Sequence, residues 1–578
     1  MAAIPVDRLL SQLEEARYRF GAGEGARMVK LLALFDRAQL RDPAALMRFH
    51  EALLFVRAFP QSAAVARKAE SCLDDFWKRV AALRTAGESL ASWDTFESAG
   101  VSSTIMEDTL GFDVARWLIR ALPAKVEIAW DNFEAGREAA TIMPRLVPLL
   151  ADDASVEADT PWQKYIVAAK GRQTGAEWLL QRIEAMPLSE GARAELYDSL
   201  RVPLRWELDN TRLTRTRNAW RVSGQGVRDA FSGRRQALYC HKEPLMGRSQ
   251  VALAEELAKE APGFVRLPRS QGERVLESIR EVMLVRYREL YGTTLGDPAS
   301  VVRADLGRGL SIYLWNLPPH RRLPLRSYVA GFSFKNGVPV NYIEAIGLCE
   351  WMEVGFNTFY TFRGGETAWI YAQVLRCLCH LMGTTCISVY PYQLGHENDE
   401  AIESGAFWFY RKLGFRPGRP DLLRLVRNEE RKIAAHAKYR TPARTLRRLA
   451  ASHVFYELPG SEVGAWDRFS TRNIGLRVNA RMARSFGGDA ARMRRESARS
   501  LAGMCGADTP SWTALEKLSL ENFAVALAPA GKLSTWSRED RASLIQIIRS
   551  KAARNEMTFL RLTQRHPRLR EALLKLGS

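Results

Sequence analysis

The sequence predicts a mixed α/β domain between two largely helical regions. Residues 1–204 repeat apolar side chains three or four positions apart, which is typical of helices with one buried face. Residues 262–430 instead contain short runs rich in aromatic and β-branched side chains, which favour strands. Residues 431–578 return to helical spacing and are strongly basic. With 578 residues and 47% hydrophobic side chains, the chain can form several packed cores.

The first region has no fixed-period repeat. VDRLLSQLEEARYRF, ALMRFHEALLFVRAF and VARKAESCLDDFWKRVAALR each carry one apolar face. We therefore interpret residues 1–204 as an irregular helical domain, with a degenerate helical-repeat array as the alternative. Residues 205–261 are polar, basic and dotted with glycine, so we predict that they form a connecting segment.

The α/β domain begins with the predicted helix GERVLESIREVMLVRYRELYG. The runs GLSIYLWNLP and RSYVAGFSF follow as predicted strands. Asn336-Gly337 separates SYVAGFSF from VPVNYIEAIG, and an Asn-Gly pair between two such runs predicts a hairpin. EVGFNTFYTF, residues 353–362, alternates well enough to be the next strand.

The rest of this domain carries the two most informative motifs. FRGGETAWIYAQVLRCL is a glycine turn that leads into an apolar helix, and CISVYPYQL is a predicted strand. ESGAFWFYRKLGF then reads as an aromatic helix that ends at Gly414, with Arg411 and Lys412 favourably placed at its negative end.

This order of strand, glycine turn, helix, strand, helix and Gly-Phe resembles the GCN5-related N-acetyltransferase (GNAT) superfamily. The resemblance covers residues 262–430, less than a third of the chain. It implies a GNAT-like mixed sheet domain, flanked here by N-terminal and C-terminal helical regions. Because family members bind acyl-coenzyme A, the resemblance also implies acyl-CoA as the donor substrate.

In the family, the glycine turn donates backbone N–H groups to the coenzyme A pyrophosphate at a helix N-terminus. The resemblance places this role on a cofactor-binding set in this chain: Arg363, Gly364, Gly365, Thr367 and Ala368. Glu366 stands where the family has its middle glycine, and a carboxylate there would crowd and repel a pyrophosphate. The alternative interpretation is a glycine turn followed by an acid in the first helical turn.

The second motif matches at Ala406, Tyr410, Gly414 and Phe415, while Glu403 replaces the usual Asn. In many family members this tyrosine protonates the departing thiolate, so the resemblance makes Tyr410 the candidate general acid. The alternative is that Tyr410 belongs to an ordinary aromatic helix face.

A general base is expected on the strand that faces the donor. Glu353 and Asn357 lie four residues apart and therefore share one face of the predicted strand. Glu353 is our candidate base, and a solvent-facing carboxylate without a catalytic role is the alternative.

The cysteines predict no metal site. Cys377 and Cys379 would lie about 200° apart around one helix, so they could not coordinate the same metal ion. The seven cysteines form neither a paired framework nor a zinc pattern, which fits a reducing cytoplasm. No apolar run approaches the roughly 18 residues of a transmembrane span, and the N-terminus has no signal-peptide core. We therefore expect a cytoplasmic protein.

The positive charge is concentrated at the C-terminal end. Residues 431–578 hold 28 Lys and Arg against 12 Asp and Glu, a net charge of +16, out of +19 for the whole chain. Such a field attracts nucleic acid, anionic lipid or an acidic protein such as an acyl carrier protein, and charge alone selects none of them.

Two functions remain open at this point. The first is an N-acyltransferase that moves an acyl group from coenzyme A or a carrier protein to an amine, whose identity the sequence does not reveal. The second is a noncatalytic binding protein that keeps a degenerate GNAT-like scaffold and binds a polyanion through residues 431–578.

Overall fold

The structure is a computed structural model that describes residues 5–133, 143–146, 162–530 and 533–578. A nine-stranded sheet forms its largest element, and helices from both ends of the chain pack against that sheet. This arrangement confirms the prediction of a mixed α/β protein.

The N-terminal helices bury their apolar faces against one another and against the sheet. Val338, Val340 and Phe362 of the later α/β region share the same core. Asp42 and Ser62 start two of the helices by accepting hydrogen bonds from backbone N–H groups three residues on. The helices are α1 (Val6–Ala16), α2 (Glu24–Leu34), α3 (Pro43–Ala58), α4 (Ala63–Asp74) and α5 (Phe76–Thr85).

The next part combines helices with a small antiparallel sheet, so the predicted helical domain at 1–204 is not purely helical. The strands are ordered β1-β3-β2, and Met106 and Val126 both lie opposite Trp206. The elements are β1 (Ile105–Thr109), α6 (Phe112–Ala121), β2 (Val126–Ile128), α7 (Trp162–Ala169), α8 (Gly175–Ala185), α9 (Glu190–Leu200) and β3 (Pro203–Glu207).

Residues 205–261, predicted as a connection, are folded against the rest of the chain. Their polar side chains form hydrogen bonds with other parts of the chain. Arg215, for example, is buried and donates to Thr361 Oγ1 at 2.9 Å. Their regular elements are β4 (Arg221–Ser223), β5 (Gly226–Arg228), β6 (Arg235–Ala237) and α10 (Leu253–Ala258), with β4-β5-β6 forming a sheet of their own.

The large sheet has the order β14-β15-β13-β12-β11-β10-β9-β8-β7. Adjacent strands in this sheet are antiparallel, except β12 and β13, which are parallel and are joined through α13. The elements are β7 (Phe264–Arg266), α11 (Arg269–Leu284), α12 (Tyr291–Thr294), β8 (Val302–Asp305), β9 (Leu310–Asn316), β10 (Ser327–Lys335), β11 (Val338–Leu348), β12 (Trp351–Thr358), α13 (Thr367–Met382), β13 (Cys386–Val389), α14 (Pro391–Leu394), α15 (Asp399–Glu403), α16 (Ala406–Arg411), β14 (Arg416–Pro417), α17 (Pro420–Ala435), α18 (Ala443–Leu449) and β15 (Val454–Glu457).

The hairpin predicted at Asn336-Gly337 is confirmed. Both residues have positive φ, 49° and 76°, as this tight turn between β10 and β11 requires. The N-terminal region clamps the turn, because Arg57 Nη1 donates to the Asn336 carbonyl at 3.0 Å. Asn336 Nδ2 in turn donates to the Ala58 carbonyl at 2.9 Å.

The C-terminal helices extend the core of the α/β domain. Gln564 Nε2 donates to the carbonyls of Met382 at 2.9 Å and Cys349 at 3.0 Å, and Leu560 lies in the sheet core. The helices are α19 (Thr471–Phe486), α20 (Ala490–Cys505), α21 (Ala514–Leu527), α22 (Arg538–Lys551), α23 (Glu556–Gln564) and α24 (Pro567–Gly577). Within the described ranges, no helix combines the length and the apolar character needed to cross a membrane.

Candidate functional site

The parallel strands β12 and β13 stay paired over only a short stretch. Their register runs from Trp351 opposite Cys386 to Glu353 opposite Ser388, while β12 continues to Thr358. Strand β13 ends at Val389, and Pro391 then begins α14, since proline suits the first position of a helix. The pairing therefore leaves one side of β12 open toward its carboxyl end, a usual place for ligands in α/β proteins.

Gln393 of α14 lies beside this open part of β12. The backbone N–H of Phe356 donates to Gln393 Oε1 at 3.4 Å, a long hydrogen bond. A Cβ atom at Gly355 would lie 2.9 Å from Gln393 Nε2, so Gly355 allows the amide side chain to approach the strand. We call this region, defined by Gly355, Phe356 and Gln393, the β12–β13 opening.

Tyr410 reaches the β12–β13 opening from α16. Its hydroxyl donates to Gln393 Oε1 at 3.2 Å, and its ring packs on Tyr371 and Phe415. The side chain is 5% exposed, and burial raises the pKa of the Tyr410 phenol above its usual range. The phenol is therefore protonated at neutral pH, as a proton donor must be.

Glu353, the predicted base, pairs with a histidine that the sequence analysis did not select. Glu353 Oε2 lies 2.8 Å from His453 Nε2. His453 immediately precedes β15, and the pairing of Val389 with Val454 brings it beside the end of β13. The ring of Tyr390 meets the imidazole edge-on, with centroids 5.3 Å apart. The side chains of Glu353 and His453 are 18% and 29% exposed, so solvent can reach the pair.

Glu353 and the Gly355 side of the opening lie on the same face of β12. Glu353 and Gly355 alternate with Val354 and Phe356, which pack in the core beneath α13. Two strand residues span about 6.6 Å, which separates the backbone of Glu353 from that of Gly355, where Gln393 approaches the strand.

The predicted cofactor set lies together at the start of α13. Arg363 forms an ion pair with Glu400. Thr367 Oγ1 donates to the Arg363 carbonyl at 3.1 Å. The amides of Thr367 and Ala368 donate to no acceptor among the described residues, as is usual in the first turn of a helix.

The two glycines of this turn face the N-terminal helical region. A Cβ atom on Gly364 would collide with the Tyr18 hydroxyl, and one on Gly365 would collide with the Phe59 ring. The glycines thus have a structural reason to be there, apart from any ligand.

Glu366 does not project into solvent. It is fully buried, with Oε2 2.8 Å from Lys335 Nζ and Oε1 paired with Arg308. Although burial opposes ionisation, the two cations hold its pKa at about 2. Burial lowers the pKa of Lys335 to about 8, against the attraction of Glu366. At neutral pH the cluster is ionised and has one net positive charge, because Lys335 and Arg308 both face Glu366. The expected repulsion of a pyrophosphate is therefore offset.

His453 and Gln393 are the two residues that sequence reasoning missed. His453 is isolated in the segment AASHVFYEL, and its partner lies 100 residues earlier in the chain. Gln393 falls within the run predicted as a strand. The proline at 391 was the signal that the strand ends before it.

Other features do not join this site. A cavity of about 350 Å³ is lined in part by Trp93, Met106 and Tyr287, and it shares no residue with the β12–β13 opening. Among the described residues, no three His, Cys, Asp or Glu side chains form a group able to hold a metal ion. Cys377 and Cys379 are buried, which raises the pKa of both thiols to about 12.

Comparisons with protein-family models, with curated proteins and with solved structures found no match to this chain.

Proposed function

We propose that this protein is an acyltransferase of the GNAT type that moves an acyl group from acyl-CoA to an amine at the β12–β13 opening. The order of elements supports the proposal. Four consecutive antiparallel strands, β9 to β12, precede the glycine turn, and α13, β13, α16 and Gly414-Phe415 follow in sequence.

The observation that carries the proposal is the hydrogen-bonded connection from Tyr410 through Gln393 to the backbone N–H of Phe356. It brings a protonated phenol and a strand amide to one gap in the sheet. A thioester in that gap would meet both a proton donor and a donor for its carbonyl oxygen once Gln393 moves aside.

The proposed reaction needs one proton removed and one supplied. The amine nitrogen attacks the thioester carbonyl carbon, forming the C–N bond, and the C–S bond then breaks. His453, oriented by Glu353, takes the proton that the amine loses. Tyr410 gives its proton to the thiolate of coenzyme A, and water restores it. The Phe356 N–H is placed to stabilise the oxygen of the tetrahedral intermediate.

A conservative change at Tyr410 tests the acid. Tyr410→Phe removes only the hydroxyl, so we expect kcat for amine acylation to fall about a hundredfold while the fold is kept. The effect is at the low end for general acids, because a thiolate leaves more readily than a stronger base. Steady-state kinetics with acetyl-CoA and an amine panel measures it.

Tyr371→Phe is the matched control. Tyr371 is also buried and touches Tyr410, but its hydroxyl has no hydrogen-bond partner among the described residues. Its loss should leave kcat unchanged. Equal losses in the two variants, or no loss in Tyr410→Phe, would remove Tyr410 from the mechanism.

Ligand binding tests the glycine turn separately from the chemistry. A ligand that binds only the folded state at a hundredfold excess over its Kd stabilises that state by about 2.7 kcal/mol. We expect coenzyme A to raise the melting temperature and pantetheine, which lacks the pyrophosphate, to raise it far less. Differential scanning fluorimetry measures both shifts, and equal shifts would mean that the turn holds no pyrophosphate.

A noncatalytic scaffold is the second candidate, and specific contacts favour it. Tyr18 and Phe59 lie against the glycine turn, and Gln393 occupies the β12–β13 opening. If these groups keep their places permanently, coenzyme A has no access. Absence of any thermal shift with coenzyme A and acetyl-CoA would support this second function over the first.

A further inference from the structure

A second surface of the molecule is rich in cations. Helices α17 and α18 pack against each other, and Tyr439 in the loop between them donates to Glu429 of α17 at 2.8 Å. We call this unit, residues 420–449, the α17–α18 unit. Nine of its cations are exposed. Lys432 and Arg447 are ion-paired, and the other seven are Arg424, Arg427, Arg431, Lys438, Arg440, Arg444 and Arg448.

None of these seven cations forms an ion pair with a described carboxylate. The acids of the same unit pair with other cations: Asp421 with Arg419, Glu429 with Lys432 and Glu430 with Arg411. The surface therefore has a large uncompensated positive charge, which is costly to assemble unless a polyanion neutralises it.

The cations lie along one side of α17. Arg424, Arg427 and Arg431 are spaced three and four residues apart, so they share one helix face, while Leu422 and Val426 are buried on the other. At 1.5 Å per residue, this row is about 10 Å long. It matches about three steps of a nucleic-acid strand at 3.4 Å per step.

The composition of the surface discriminates between polyanions. A stable protein interface has an apolar or aromatic centre, but no large hydrophobic side chain is exposed among residues 420–449. The surface therefore also lacks exposed aromatic rings, on which the bases of single strands stack. Arginine dominates the row, and its planar fork suits phosphate oxygens.

We infer that the α17–α18 unit binds the phosphate backbone of double-helical nucleic acid without reading its sequence. This inference does not rest on the proposed acyl transfer. The unit is nevertheless fixed beside the candidate site, because Arg447 pairs with Asp399 of α15 at 2.8 Å and Trp408 Nε1 of α16 donates to Thr441 at 3.1 Å.

The test uses the full chain and fluorescence anisotropy with random-sequence RNA and DNA duplexes of about 24 base pairs. Neutralising Z phosphate contacts gives a slope of about −0.9Z in log affinity against log salt. We expect the triple variant Arg424→Gln, Arg427→Gln, Arg431→Gln to bind about tenfold or more weakly near 100 mM salt. Its slope should be shallower by about 2.7.

Helix α20 supplies a matched control, because Arg492, Arg495 and Arg499 have the same spacing and are also exposed. The corresponding triple glutamine variant should bind duplex as the unmodified protein does. Circular dichroism checks that both variants fold, which is expected because all six side chains are exposed.

Three results would overturn the inference. One is no duplex binding by the unmodified protein. Another is an equal loss in the α20 control, which would mean that only total charge matters. The third is poly-L-glutamate binding as tight as duplex binding and equally weakened by the α17 variant, which would assign the surface to an acidic protein.

Discussion

Replacing His453 with glutamine is expected to lower kcat/KM for amine acylation about a thousandfold. The substitution keeps a hydrogen-bonding group near Glu353 but removes the only group of the pair that can take a proton while the carboxylate orients it. Coenzyme A binding should be unchanged, because His453 lies at β15 and not at the glycine turn.

Two further variants isolate the role of the pair. Glu353→Gln should cost less than His453→Gln, and the double variant should be no worse than His453→Gln alone, because the two residues act as a unit. His396→Gln is the control, since His396 is exposed in the turn after α14. Additive losses in the double variant, or full activity in His453→Gln, would show that the pair does not provide the base.

Replacing Lys335 with methionine is expected to destabilise the large sheet by about 3–5 kcal/mol. Among the described residues, the change leaves the fully buried Glu366 with Arg308 as its one charged partner. Its other neighbour, His241, is neutral at pH 7, because its pKa is lowered to about 3, chiefly by burial. Hydrogen exchange of the β10 and β11 amides measures the loss where the pair lies.

A second substitution at Glu366 tests this explanation of the loss. Adding Glu366→Met to Lys335→Met removes the buried carboxylate that has lost one of its two cations, so a large part of the stability should return. Lys432→Met is the surface control. Its partner Glu429 is buried, but Lys432 is 55% exposed, and the loss should be much smaller than that of Lys335→Met. A Lys335 variant as stable as the Lys432 variant would contradict the importance of the buried cluster.

Local sequence patterns predicted many elements of the α/β domain, but β15 of the large sheet lies within residues 431–578, which were predicted to be helical. The Asn336-Gly337 hairpin follows from two residues that tolerate positive φ, and the helix after the glycine turn follows from its apolar spacing. Element ends were less accurate. The predicted strand at 353–362 occupies 351–358, and the predicted strand at 386–394 stops at 389, where proline starts α14.

The site and the connection depended on contacts that no local pattern encodes. Glu366 meets Lys335 and Arg308, which lie 31 and 58 residues earlier. Residues 205–261 were assigned to a connection because they are polar. Side chains such as Arg215 are nevertheless buried, since Glu51 and Thr361 satisfy them. Polarity therefore predicts exposure only where no partner comes from elsewhere in the chain.

The hydrogen bond between Arg57 and the turn at Asn336 joins parts of the chain that are synthesised at very different times. The two residues are 279 positions apart. At about 5–20 residues per second, a ribosome needs about 15–55 seconds to make the second after the first. During that interval the surface of α3 that later covers Val338 and Val340 has no partner. The nascent chain is therefore exposed to aggregation over this window, and chaperone demand should be highest before residue 340 emerges.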